Sequence, residues 1–194
     1  MTEVVLYHHV HGLTDGVRSF ADTLRQAGHT VHTPDLFGGQ RFDTIEAGME
    51  FARETGFGTL AGRGVAAAER FGPDVVYAGF SLGVMPAQEL AQTRPGALGA
   101  VLMSGCLPVS EFGAAWPGDV PVQVHGKQAD PFFAEDLEAA RELVESAAAA
   151  ELFLYPGREH LFADSSLPAY DAAAAAVLTA RVLAFLDTVQ GEAD

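Results

Sequence analysis

Cysteine is almost absent: Cys106 stands alone in 194 residues, which excludes a disulfide framework and any multi-cysteine metal site. Basic residues are scarce as well. Eleven Lys and Arg face 26 Asp and Glu, for a formal net charge of −15. A surface of that sign repels phosphate backbones and anionic headgroups, so neither nucleic acid nor a membrane surface is an expected partner. The chain opens Met1-Thr2-Glu3 with no basic leader or cleavage region, and Asp, Arg or Gly interrupts each apolar stretch. The expectation is therefore no signal peptide, no membrane helix and a soluble, cytoplasmic protein.

What is present builds a large core. The sequence is 48% hydrophobic and 19% charged, too apolar for disorder. Its length fits one domain over residues 1–194, acting as a monomer or homodimer. Short β-rich runs at 4–8, 29–33, 74–78, 100–104, 120–125 and 151–155 read as strands. Helical spacing reads over 16–27, 44–53, 60–71, 82–93, 134–149 and 170–189; in the first of these, Val17, Phe20, Leu24 and Ala27 share one face. Alternation of this kind predicts a three-layer α/β fold, a mostly parallel sheet of about six strands with helices on both faces.

In such sheets ligands collect at the carboxyl ends of the strands, so the residues after each strand carry the information. The third strand runs into Gly79-Phe80-Ser81-Leu82-Gly83, a G-x-S-x-G pattern. It sits between an apolar strand and a periodic helix, the setting a nucleophile elbow requires. A serine hydroxyl needs a base, and in this architecture the partners follow in the order Ser, acid, His. Of the seven histidines, only His125 and His160 lie beyond Ser81. His160, in the loop after the last strand, is the better base. Asp130, just past the fifth strand, is the expected acid; with Pro131 behind it, it also has the makings of a helix cap. Asp119 lies before that strand, at the wrong end. Glu135 and Asp136 read as first-turn helix acids. Two backbone donors are needed for a developing oxyanion: Leu82 N–H and, from the loop after the first strand, Val10 N–H.

That loop also holds His8, His9 and His11. Neighbouring strand residues face opposite ways, so at most His9 and His11 converge, without an adjacent acidic partner. Neither a metal nor a cofactor is expected. Phe37, Phe42, Phe132, Phe133 and Phe162 fall in or near the site loops and suggest an apolar pocket. Cys106 is a candidate lining residue but reads better as a small buried hydrophobe.

With these residues in place the chain resembles the dienelactone hydrolase family of α/β hydrolases over nearly its full length. The resemblance rests on HHVHGLTDGVRSFADTLRQAGHTVHTPDLFGG, then GFSLG, HGKQADPF and YPGREHLF, followed by PAYDAAAA. It implies a sheet order of 2-1-3-4-5-6, a nucleophile at Ser81, an acid at Asp130, a base at His160 and oxyanion donors at Leu82 and Val10. Two departures stand out. The enzymes that gave the family its name use a cysteine nucleophile where this chain has Ser81, and carry a glutamate where this chain has His9. For their substrate-binding arginines, Arg41 and Arg158 are the candidates here. The expected activity is hydrolysis of a small to medium carboxylic ester or lactone through an acyl-enzyme. The alternatives are a non-catalytic binding protein on the same scaffold, or a thioesterase or peptidase using the same three residues.

Overall fold

The computed structural model describes residues 1–113 and 115–193. Six strands alternate with helices: β1 (Glu3–Tyr7), α1 (Asp15–Gln26), β2 (Thr30–His32), α2 (Ile45–Thr55), α3 (Phe57–Ala68), β3 (Val75–Phe80), α4 (Val84–Thr93), β4 (Gly99–Met103), β5 (Val122–Lys127), α5 (Phe133–Ser146), β6 (Ala150–Tyr155) and α6 (Ala172–Ala193). The sheet order is β2-β1-β3-β4-β5-β6, and every neighbouring pair is parallel. Order and class match the sequence reading.

Strand alternation assigns the two faces. Val5, Tyr7, Val75, Tyr77, Ala100, Leu102, Val122 and Val124 point to the side covered by α2 to α5. Val4, Leu6, Val76, Ala78, Phe80, Val101 and Met103 point to the side covered by α1 and α6. Both faces are apolar, so the central strands are buried end to end, as a doubly covered parallel sheet demands. At roughly 25 cal/mol per Å² of apolar surface removed from water, this double burial is the main force holding the layers together.

The boundaries follow local chemistry. Thr14 caps α1 by accepting the Val17 N–H at 3.2 Å, and Thr44 caps α2 by accepting Ala47 N–H at 3.2 Å. Gly56, at φ 90°, ends α2 and lets α3 start at once, three residues earlier than periodicity suggested. Asp171 opens α6 by accepting the N–H groups of Ala173 and Ala174. Two expectations are corrected. β5 runs on through Gly126 and Lys127, so these are strand residues rather than loop. The helix α6 contains a window, Ala172–Val189, of mean hydropathy 1.7, long and apolar enough by length and composition to cross a membrane. Arg181 and Asp187 do not lower it sufficiently. In this fold Leu178, Val182 and Leu186 of that window are buried against the sheet.

From β1 the chain first steps outward to β2, then returns to place β3 on the other side of β1. The loops after β1 and β3 therefore diverge at the switch point of the sheet, where such folds open a crevice.

Candidate active site

Ser81 follows β3 directly, at φ 48°, and starts a single 3-10 turn over Ser81–Gly83 that leads into α4. A left-handed serine between strand and helix projects its hydroxyl off the sheet edge. The turn tolerates no side chain at Gly83, where a Cβ would lie 2.6 Å from Tyr7 O and 2.7 Å from His8 O. The elbow is thus pressed against the end of β1. Among the described residues, the non-glycine residues with positive φ are Ser81, Ser104 (56°) and Leu161 (58°). All three lie where strand ends and loops meet around this serine, which is where strained backbone tends to be held for function.

His160 is brought over the elbow by the loop after β6. Its Nε2 lies 3.0 Å from Ser81 Oγ and its Nδ1 lies 2.6 Å from Asp130 Oδ2. Asp130 is 1% exposed. Its other oxygen, Oδ1, accepts the Phe132 N–H at 2.9 Å, and its carbonyl accepts the Ala134 N–H. The capping expectation is therefore refined: α5 starts at Phe133 without a side-chain cap, and Asp130 closes the turn before it while facing His160. The acceptor-only carboxylate calls for a proton on Nδ1, which leaves Nε2 free to accept from Ser81.

Other sequence candidates scatter. Val10 is buried two residues past His8, whose carbonyl Gly83 of the elbow faces, and Leu82 is in the first turn after Ser81, where N–H groups lack intrahelical acceptors. His9 and His11 do converge, with ring centroids 5.4 Å apart, but each is engaged elsewhere. His9 Nε2 binds Asp164 Oδ2 at 2.7 Å, and His11 Nδ1 donates to Phe42 O at 2.7 Å. An acidic partner thus exists, not an adjacent one but one supplied from 155 residues away. Among the described residues, no group of three or more His, Cys, Asp or Glu is placed to hold a metal ion. Phe132 is exposed and tilts over His160, centroids 4.9 Å apart. Phe162 is no pocket residue: it is buried in the core with Tyr155. Phe37 packs edge-on against His8, Phe42 and Phe51 inside the opposite core layer. Arg41 pairs with Asp15 at 3.0 Å on the surface, and Arg158 is exposed. Cys106 is 1% exposed, and burial pushes its thiol up to about 12.

Three residues around the site take roles beyond any read in the sequence. Asp136 accepts the Cys106 N–H at 3.2 Å, and burial raises its carboxyl above the usual range. Lys127, with 1% of its side chain exposed, binds Glu159 Oε2 at 2.7 Å and Asp171 Oδ2 at 2.6 Å. Burial alone would lower its pKa, but the two carboxylates outweigh that and hold it up. It clamps the loop that carries His160. Asp164 receives His9, Thr14 Oγ1 and both the N–H and Oγ of Ser166. Burial opposes its ionisation, yet these donors prevail and hold the carboxyl down at about 2.

A parallel six-stranded sheet that hangs a left-handed serine, a carboxylate and a histidine from the ends of its third, fifth and sixth strands has the form of an α/β-hydrolase. The model of the dienelactone hydrolase family matches residues 1–190, and the chain belongs to that family of hydrolases. Compared with curated proteins it has no match. Among solved structures, a dienelactone hydrolase candidate from Klebsiella pneumoniae is 20% identical, covering 96% of this chain and 87% of that one at a TM-score of 0.75. Dienelactone hydrolase from Anabaena variabilis is 21% identical over 94% and 84%, with a TM-score of 0.65. Thermogutta terrifontis esterase 2, in a form phosphorylated by paraoxon, is 16% identical over 97% and 82%, at 0.62. At these identities the structural likenesses speak for the fold alone.

Proposed function

We propose that this chain is a serine hydrolase that cleaves a small to medium carboxylic ester or lactone, with Ser81 as nucleophile, His160 as general base and acid, and Asp130 as the group that orients His160. The observation that carries the reading is the continuous hydrogen-bonded series Ser81 Oγ, His160 Nε2, His160 Nδ1, Asp130 Oδ2, with links of 3.0 and 2.6 Å. Ser81 Oγ attacks the carbonyl carbon while its proton passes to Nε2. The N–H groups of Leu82 and Val10 receive the oxyanion. His160 then protonates the departing alkoxide as the C–O bond breaks. Water, deprotonated by the same nitrogen, releases the acid and restores Ser81. Asp130 keeps the imidazole in the required tautomer and stabilises its charged form.

The exposed Phe132 ring beside His160 supports an apolar group next to the scissile bond. The net charge of −15 and single cysteine suit a soluble enzyme in a reducing, cytoplasmic setting. The test is turnover of a series of p-nitrophenyl esters and small lactones by wild type and Ser81→Ala. Loss of Ser81 is expected to cost on the order of several powers of ten in kcat. Unchanged turnover in the purified variant sinks the assignment.

A further inference from the structure

His8 is fully buried, with 0% exposure, and makes two bonds of opposite polarity. Its Nδ1 lies 2.8 Å from His9 O, which can only accept. Its Nε2 lies 2.9 Å from Leu36 N, which can only donate. These partners define a neutral imidazole with its proton on Nδ1. Asp35 Oδ1 is also near, 3.6 Å from Nε2, but that oxygen already accepts Phe37 N–H at 2.9 Å. Burial dominates, and lowers the His8 pKa to about 4.

The carbonyl His8 holds is the other half of the peptide that carries the Val10 N–H. Gly12 N–H donates to the same His9 O at 3.0 Å. In a trans peptide the C=O and N–H point opposite ways, and the described chain has no cis peptide. Two donors on His9 O therefore fix the direction of Val10 N–H. The loop is pinned from the other side as well: a Cβ on Gly48 of α2 would lie 2.0 Å from Val10 O. His9 makes a third restraint. Its Nδ1 accepts His11 N–H at 3.3 Å and its Nε2 donates to Asp164, so it is neutral with the proton on the other nitrogen.

We propose that His8 is a positioning residue for the oxyanion site: its Nδ1–H, bound to His9 O, aims the Val10 N–H at the oxygen that becomes charged when Ser81 attacks. Neighbouring His8 and His9 hold opposite tautomers, His8 protonated on Nδ1 and His9 on Nε2. The inference rests on the proposed hydrolase reading, and it assigns a task to a histidine that touches neither substrate nor Ser81.

Two measurements test it. The first is the long-range 15N–1H imidazole spectrum of the resting protein between pH 6 and 8. The expected result is one neutral Nδ1–H pattern for His8, identified by its loss in His8→Asn, and one neutral Nε2–H pattern for His9. A protonated or Nε2–H His8 overturns the proposal. The second compares esterase kinetics of His8→Asn, which retains a donor near the Nδ1 position, with His8→Leu. Misaiming one oxyanion donor is expected to lower kcat about 10- to 100-fold in His8→Leu at nearly constant KM, with partial recovery in His8→Asn. Folded His8→Leu with wild-type kcat overturns the inference. If His8→Leu does not fold, His8→Asn carries the comparison, where a wild-type Nε2–H pattern on His9 together with kcat above about one-tenth of wild type is expected, and a collapse of kcat overturns it. Wild-type protein lacking Ser81-dependent turnover refutes the hydrolase reading instead, and the spectrum still judges the clamp.

Discussion

Asp164 Oδ2 lies 2.7 Å from His9 Nε2, and neither side chain has measurable exposure. This bond joins the loop that carries His160 to the loop that carries Val10, so the proposed base and one proposed oxyanion donor share a single buried anchor. Asp164→Ala strands His9, Thr14 and Ser166 without their acceptor. Leaving these buried donors without their charged acceptor is expected to cost on the order of 3 kcal/mol. Urea unfolding measures it, and a loss below about 0.5 kcal/mol, the scale of an ordinary surface change, contradicts the anchor.

Lys127 offers a second hold on the same loop. Lys127→Met keeps the buried stem but leaves Glu159 and Asp171 facing each other without a cation. The expected loss is roughly 1.5–3 kcal/mol, typical of hydrogen bonds to charged groups. Activity should fall with it, because Glu159 is next to His160. Glu159→Gln and Asp171→Asn, each leaving one carboxylate on Lys127, should cost less. A Lys127→Met protein as stable and as active as wild type refutes this role.

Acid should destabilise the fold from near neutrality downward. His8 and His125 are held neutral by burial, their pKa values lowered from 6.5 to about 4 and about 3. Between 6.5 and those values the unfolded chain binds protons that the folded chain refuses, so stability drops as pH falls through that window. Asp164, held down at about 2 from 3.8, adds a further loss of the same sign below pH 4. Asp136, whose carboxyl burial raises, works weakly the other way. Unfolding free energy measured at pH 8, 7, 6, 5 and 4 should decline below about 6.5. A flat profile from pH 7.5 to 5 is incompatible with buried neutral histidines.

Cys106 tests the identity of the nucleophile from the opposite side. With its thiol buried and pushed up to about 12, it should resist aromatic disulfide reagents in native protein and react promptly after unfolding. Cys106→Ala should keep its ester turnover within a few-fold. Fast native labelling together with loss of turnover in that variant would point to a thiol enzyme of the kind that gave the family its name.

The family resemblance implied the sheet order that the structure has, and Ser81, Asp130 and His160 were legible as candidates because each follows a strand end; the fold brings their side chains within hydrogen-bond reach of one another. Gly79 to Gly83 mark a strand–helix turn whatever lies around them. His9, Lys127 and Asp164 were not legible in their roles, since each gains its meaning from a partner distant in the chain: His9 from Asp164, and Lys127 from Glu159 and Asp171. Phe162 misled for a related reason. Its place in the loop after His160 suggested a pocket, whereas the left-handed turn at Leu161 sends the chain back and Phe162 into the core. β5 runs two residues past its expected end because Gly126 and Lys127, residues that seldom continue a strand, here pair with Leu154 and Tyr155.

Hydrolysis by the proposed route requires Ser81 to be an activated nucleophile. Purified protein treated with a fluorophosphonate probe, followed by intact mass and peptide mapping, measures this directly. One adduct per chain on Ser81, absent in Ser81→Ala and strongly slowed in His160→Ala, is the predicted result. Folded wild-type protein that takes up no probe, or carries it on another residue, contradicts the central claim.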